Sequence, residues 1–245
     1  MRPFSDHYST NYIALVLTPH CGVIMKVQIL DRTAEIRVFD VMNIPTDDDY
    51  ENLALETSRG TVYCRYNPST GPRAVAMVGG TGGGFDSPAQ DLYGRLFNDL
   101  VEKGIGTLRV QFRDPRDLEE ATLDLLAGLS FLSSKGFSQL GVVGHSLGGA
   151  VAAQAAFNDS NVRTVVMLAT QSYGTDPLPF LADGVSVQVI HGREDDVIPW
   201  QSSRQAHMMA KAPKELVLLD GASHNLDEAA STVYHEVFTW LLGNV

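Results

Sequence analysis

The sequence predicts an α/β fold: a mostly parallel central sheet with helices on both faces and antiparallel strands at its N-terminal side. Three observations carry this reading. Six short runs, at 74–78, 106–112, 140–143, 162–168, 185–190 and 215–219, are nearly continuous apolar or β-branched stretches, the pattern of strands buried on both faces. Helical periodicity lies between most of them, and alternating strand and helix implies right-handed crossovers and a parallel sheet. The front of the chain reads as hairpins. Residues 53–57 and 61–66 flank Ser58-Arg59-Gly60, and residues 27–30 and 35–39 flank Asp31-Arg32-Thr33, turn-forming clusters between β-rich runs.

The helices follow from spacing. Leu118, Ala121, Leu125, Leu129 and Leu132 recur at intervals of three and four, and Asp114-Pro115 ahead of them offers a cap and a proline for the first turn. Leu226, Ala230, Val233, Val237 and Trp240 repeat the pattern at the C-terminus. The 245 residues suffice for one large domain with a substantial core. With no internal repeat, low-complexity tract or linker, residues 25–245 are expected to form a single domain. Residues 1–24 are expected to be an N-terminal extension outside the chemistry, because Met25-Lys26-Val27-Gln28 reads as a second start.

Composition narrows the function. Hydrophobic residues make up 44% and charged residues 19%, a globular balance. The formal net charge of -11 repels nucleic-acid backbones and anionic lipid, so neither a nucleic acid nor a membrane is an expected partner. The apolar cluster Ile13-Ala14-Leu15-Val16-Leu17 is too short to span a bilayer and lacks the flanks of a signal peptide. The expected location is the cytoplasm. There, Cys21 and Cys64 read as free thiols rather than a disulfide framework or a zinc site.

Three loops leave the carboxyl ends of predicted parallel strands, where open α/β sheets bind ligands. The first, Gly144-His145-Ser146-Leu147-Gly148, matches G-x-S-x-G between a strand and a helix. That sharp turn holds its serine in a strained conformation at a helix N-terminus, where free N–H groups favour developing negative charge. The second, His191-Gly192-Arg193-Glu194-Asp195-Asp196-Val197-Ile198-Pro199, supplies carboxylates that can orient a histidine. The third, Asp220-Gly221-Ala222-Ser223-His224-Asn225, supplies a histidine as general base. His207 and His235 fall in helical stretches and read as surface residues. Asp47-Asp48-Asp49 reads as a solvated loop.

The order serine, aspartate, histidine, each after its own strand, resembles the α/β-hydrolase superfamily. The matching segments are Gly79-Gly80-Thr81-Gly82-Gly83-Gly84-Phe85, GHSLGG, HGREDDVIP and GASHNL, and the likeness runs from about residue 51 to the C-terminus. Within the superfamily the chain is similar to compact dienelactone-hydrolase-type proteins and small serine esterases. Dienelactone hydrolases carry a cysteine at the elbow, where this chain has Ser146, which argues against their specific reaction. The resemblance implies Ser146 as nucleophile, Asp195 as acid (four residues after His191) and His224 as base, with the amides of Thr81 and Leu147 as the oxyanion hole. The glycine-rich loop at 79–84 matches neither a P-loop nor a dinucleotide fingerprint, and no metal-ligand spacing occurs. No cofactor and no metal are expected.

The connection at 169–184 is too short for a cap domain, so an open site is expected, suited to soluble substrates. The function these features imply is a serine hydrolase of carboxylic esters or thioesters, working through an acyl-enzyme on a small-molecule substrate. The alternative is a receptor or scaffold of the same fold with little turnover. Arg113 and Arg193, near strand ends, read as partners of local aspartates rather than as substrate ligands. Oligomeric state is not written in the sequence.

Overall fold

The computed structural model describes residues 23–29 and 32–245. The apolar cluster at 13–17, Cys21 and most of the expected extension lie outside the described residues. Ten strands form one sheet: β1 Val23–Ile29, β2 Arg32–Ile44, β3 Glu51–Thr57, β4 Gly60–Asn67, β5 Arg73–Val78, β6 Gly106–Val110, β7 Gln139–His145, β8 Val162–Leu168, β9 Ser186–Gly192 and β10 Lys214–Leu219. Their spatial order is β1-β2-β3-β4-β6-β5-β7-β8-β9-β10. Strands β1 to β4 and the β4–β6 pair are antiparallel, and every pair from β6 onward is parallel. All six predicted apolar runs are strands, and both predicted hairpins form.

Helix α1 spans Pro88–Asp99, α2 Leu118–Ser134, α3 Leu147–Asn158, α4 Gln201–Met209 and α5 Ala230–Asn244. Side chains of a strand alternate between faces, so Ala74, Ala76 and Val78 of β5 join the core under α2, α3 and α4. Val75 and Met77 join the second core, under α1 and α5.

Two predicted helix starts move. Asp114-Pro115 lies in a turn, and α2 is capped instead by Asp117, whose carboxylate accepts from the amides of Glu119 and Glu120. Asp117 supplies the extended cap conformation directly ahead of the buried Leu118. Leu226 precedes α5: it has φ 61° and leads into a short 3₁₀ turn at Asp227–Ala229. Its buried side chain serves the core from that turn, so apolar spacing alone extended the helix too far.

Candidate active site

The elbow follows from glycines that cannot be replaced. Strand β7 ends at His145, Ser146 adopts φ 57° and ψ -117°, and α3 begins at Leu147. A Cβ on Gly144 would lie 1.9 Å from the carbonyl oxygen of Gly148, and one on Gly148 would lie 2.3 Å from that of Gly79. A Cβ on Gly149 would lie 2.4 Å from Thr170 Oγ1. The G-x-S-x-G-G pattern thus lets the strand, the helix and the Gly79 loop approach at backbone distance. The Ser146 amide donates to the Leu168 carbonyl at 2.8 Å, which pins the turn to β8. A non-glycine residue at positive φ costs on the order of 1–3 kcal/mol, held here by the packing around it.

Loops after β9 and β10 lock together in the same way. A Cβ on Gly192 would sit 2.1 Å from the Ala222 carbonyl oxygen. The amide of Glu194 donates to that carbonyl at 3.1 Å, and the Glu194 carboxylate accepts from the Gly221 amide at 2.6 Å. Glu228 receives both the amide and the hydroxyl of Ser223. On the far side, the amide of Ala89 donates to the Asn225 carbonyl at 2.7 Å and that of Gln90 to Asp227 at 2.8 Å. Ala89, Gln90 and Asp91 all have positive φ, a left-handed turn that nothing in the sequence announces.

This scaffold brings Asp195 and His224 together. Asp195 Oδ2 accepts from His224 Nδ1 at 2.7 Å. The same oxygen lies 2.9 Å from His191 Nε2, and Oδ1 accepts from the amides of Val197 and Ile198, each at 2.8 Å. The carboxylate is buried, and burial alone would raise its pKa. The Ile198 amide, His224 and the Val197 amide outweigh that and hold it below the usual aspartate value. Asp196, the neighbouring candidate, is exposed.

Two histidines support the pair, and sequence reasoning assigned neither a role. His191 is buried, takes the Ser203 hydroxyl at Nδ1 (2.6 Å) and directs Nε2 toward the Ile198 carbonyl and Asp195. Since a carbonyl only accepts, Nε2 carries the proton and Nδ1 accepts from Ser203. Its i, i+4 spacing to Asp195 was the available signal. His145 donates from Nε2 to the His224 carbonyl at 3.0 Å, and its ring lies 4.9 Å from that of His224. Burial pulls its pKa down to about 4, against opposing help from the His224 carbonyl, Asp86 and Asp195. Its Nδ1 is buried without a partner.

Ser146 is next to His145 in the chain and directly beneath Gly80, where an added Cβ would come 3.1 Å from Ser146 Cβ. Thr81 follows Gly80, exposed at the rim, and Leu147 is buried at the first turn of α3. Among the described residues no hydrogen bond joins Ser146 Oγ to the His224 ring. Arg113 is bound to Asp124 and Glu120, and Arg193 to Asp220, as local partners. Cys64 is free and buried on β4. Among the described residues no group of histidine, cysteine and carboxylate side chains is placed to hold a metal ion, and no helix is long and apolar enough to cross a membrane.

A family model described as the alpha/beta hydrolase family matches residues 89–227, more than half of the chain, from α1 through the elbow to the His224 loop. The chain belongs to the alpha/beta hydrolase family. Solved structures similar to this alpha/beta hydrolase include a dienelactone hydrolase from Anabaena variabilis, with TM-score 0.67 and 17% identity over 81% of this chain and 100% of that one. An alpha-beta serine hydrolase homologue from Coxiella burnetii gives TM-score 0.65 and 17% identity, covering 82% and 100% of the two chains. Est1E from Butyrivibrio proteoclasticus gives 0.62 and 15%, covering 83% and 98%. At these identities the likeness is one of fold. Among curated proteins, the uncharacterized protein YfhR of Escherichia coli K12 is 35% identical over 57 residues, 23% of this chain and 20% of that protein. Its namesake in Salmonella typhi is 22% identical over 197 residues, 79% of this chain and 56% of that protein. The alpha/beta hydrolase chain thus spans between a fifth and about half the length of the curated relatives it matches.

Proposed function

We propose that this protein is a serine hydrolase of short, soluble carboxylic esters or thioesters. The observation that carries the reading is the 2.7 Å bond between His224 Nδ1 and a buried, fully hydrogen-bonded Asp195, in a loop fastened next to the elbow of Ser146. With Nδ1–H given to Asp195, Nε2 of His224 is the nitrogen left to accept a proton. Ser146 Oγ attacks the acyl carbon while His224 Nε2 takes the hydroxyl proton. The amides of Thr81 and Leu147 receive the oxyanion, each donor worth about 3–4 kcal/mol of barrier. The proton passes from His224 to the leaving oxygen or sulfur, an acyl-Ser146 ester remains, and water activated by His224 releases the acid and restores the serine.

Substrate size is read from the connection between β8 and β9. Its only regular element is a 3₁₀ turn at Leu178–Phe180, too short to form a cap domain, and Tyr173 stands exposed on that connection. A connection without a cap domain favours short acyl groups over buried lipid tails. The test is turnover of p-nitrophenyl acetate, butyrate and palmitate and of acetyl-CoA by the intact protein and by Ser146→Ala. The reading expects multiple turnovers on the short esters or the thioester and loss of about 10⁶-fold in the variant. Binding without turnover on every substrate would instead identify a receptor.

A further inference from the structure

A cavity of about 480 Å³ opens between α1 and strands β4 and β6, lined by Tyr50, Arg65, Asp91, Arg95, Phe97 and Arg109 among others, and by none of the elbow, acid or base residues. Arg65 and Arg109 are direct cross-strand partners in the antiparallel β4–β6 pair, and like charges in that position repel. Among the described residues no carboxylate bridges them. Arg109 Nη1 lies 4.0 Å from Asp91 Oδ1, whose side chain is 67% exposed, and Asp99 is engaged by the Tyr234 hydroxyl at 2.6 Å.

The donors of this cluster are poorly used. The Arg65 guanidinium rests on the rings of Phe85 and Tyr50, with its carbon 4.3 and 5.6 Å from their centres, and its Nε is buried with no hydrogen-bond partner. Arg95 gives Nη2 to the carbonyls of Ala89 and Ala230, and its Nε is likewise buried without a partner. Arg109, only 9% exposed, gives Nη2 to the Phe85 carbonyl. Burial disfavours the charge on Arg109, Asp91 opposes that effect and Arg65 adds to it. Desolvated guanidinium groups require an anionic or hydrogen-bonding partner, and their planar fork matches a carboxylate or phosphate in two-point contact.

We propose that Arg65, Arg109 and Arg95 form a binding site, separate from Ser146, for the carboxylate or phosphate group of a small organic molecule. Tyr50 and Phe97, packed edge to face at 5.4 Å, supply an apolar wall for the organic part. The volume lies in the range of small-molecule pockets. The two head groups share one chemistry, planar or tetrahedral oxygens accepting from guanidinium N–H groups, and the two arms of the test separate them.

The test is calorimetric titration of the full chain at low ionic strength with benzoate, phenyl phosphate and the neutral benzamide. Saturable binding of one benzoate or phenyl phosphate per chain, with benzamide at least tenfold weaker, is the expected result, and the tighter anion names the head group. Arg65→Gln and Arg109→Gln should each weaken that binding at least tenfold, and Ser146→Ala should leave it within twofold. Arg65→Gln removes a guanidinium that repels Arg109 but also rests on Phe85 and Tyr50, so these effects offset and a cooperative melt near that of the parent without ligand separates lost binding from lost folding. Absence of saturable binding, equal binding of benzamide, unchanged affinity in folded Arg65→Gln, or loss of affinity in Ser146→Ala would each overturn the proposal.

Discussion

The elbow of Ser146 and the loops that carry Asp195 and His224 are held by different forces. Around Ser146 the determinants are steric: an added Cβ would come within 1.9 and 2.3 Å of backbone oxygens at 144 and 148 and within 2.4 Å of the Thr170 hydroxyl at 149, which leaves room only for glycine. Around Asp195 and His224 they are polar, a carboxylate receiving four N–H groups from His224, His191, Val197 and Ile198. The steric region is therefore expected to decide whether the chain folds and, on the proposed function, the polar region whether the folded chain reacts.

The comparison breaks if a glycine of the elbow tolerates a methyl group. Gly144→Ala places a carbon inside the Gly148 carbonyl, so no native transition should survive in a thermal melt followed by circular dichroism. Gly84→Ala, with nothing within 4 Å of the added Cβ but φ +61°, should cost only about 1 kcal/mol. In the polar region the ranking reverses: Asp195→Asn should still fold, with a melt lowered by its lost buried hydrogen bonds, while kcat/KM on p-nitrophenyl acetate falls about 10⁴-fold, the cost of the wrong imidazole tautomer. Asp196→Asn, at an exposed neighbour, should change kcat/KM less than tenfold.

His145 belongs to both regions and sharpens the contrast. The folded chain holds it at about 4 against an ordinary 6.5. Between those values the unfolded chain binds a proton that the folded chain lacks, so stability falls as pH drops from about 6.5 to about 4 and recovers as pH rises. The loss is on the order of 3 kcal/mol, to which His191, also pulled down by burial, adds in the same direction. Urea melts across this window should show a shallower acid loss in His145→Gln than in the parent. Equal slopes would remove His145 from the account.

Legibility divides along the same line. Strands β5 to β9 were readable because a strand buried on both faces must be a continuous apolar run, β10 because its β-rich run persists although the edge leaves it only partly buried, and the elbow because close backbone approach demands glycine at fixed spacing. Asp195, rather than Asp196, followed from the resemblance and its count from His191. What escaped the sequence depends on contacts between distant segments: the Asn225 carbonyl that holds Ala89 in a left-handed turn, the His224 carbonyl that engages His145, the β4–β6 register that sets Arg65 opposite Arg109. The cap of α2 at Asp117 and the early turn at Leu226 were missed because several residues nearby had suitable chemistry, and tertiary packing chose among them.

The most direct test of the central claim, that Ser146 is a nucleophile activated by His224 and Asp195, is mass spectrometry of the protein after reaction with a fluorophosphonate. The account predicts a single adduct on the peptide carrying Ser146, absent in Ser146→Ala and formed orders of magnitude more slowly in Asp195→Asn. An adduct on another residue, or none at all on the folded parent, would contradict it.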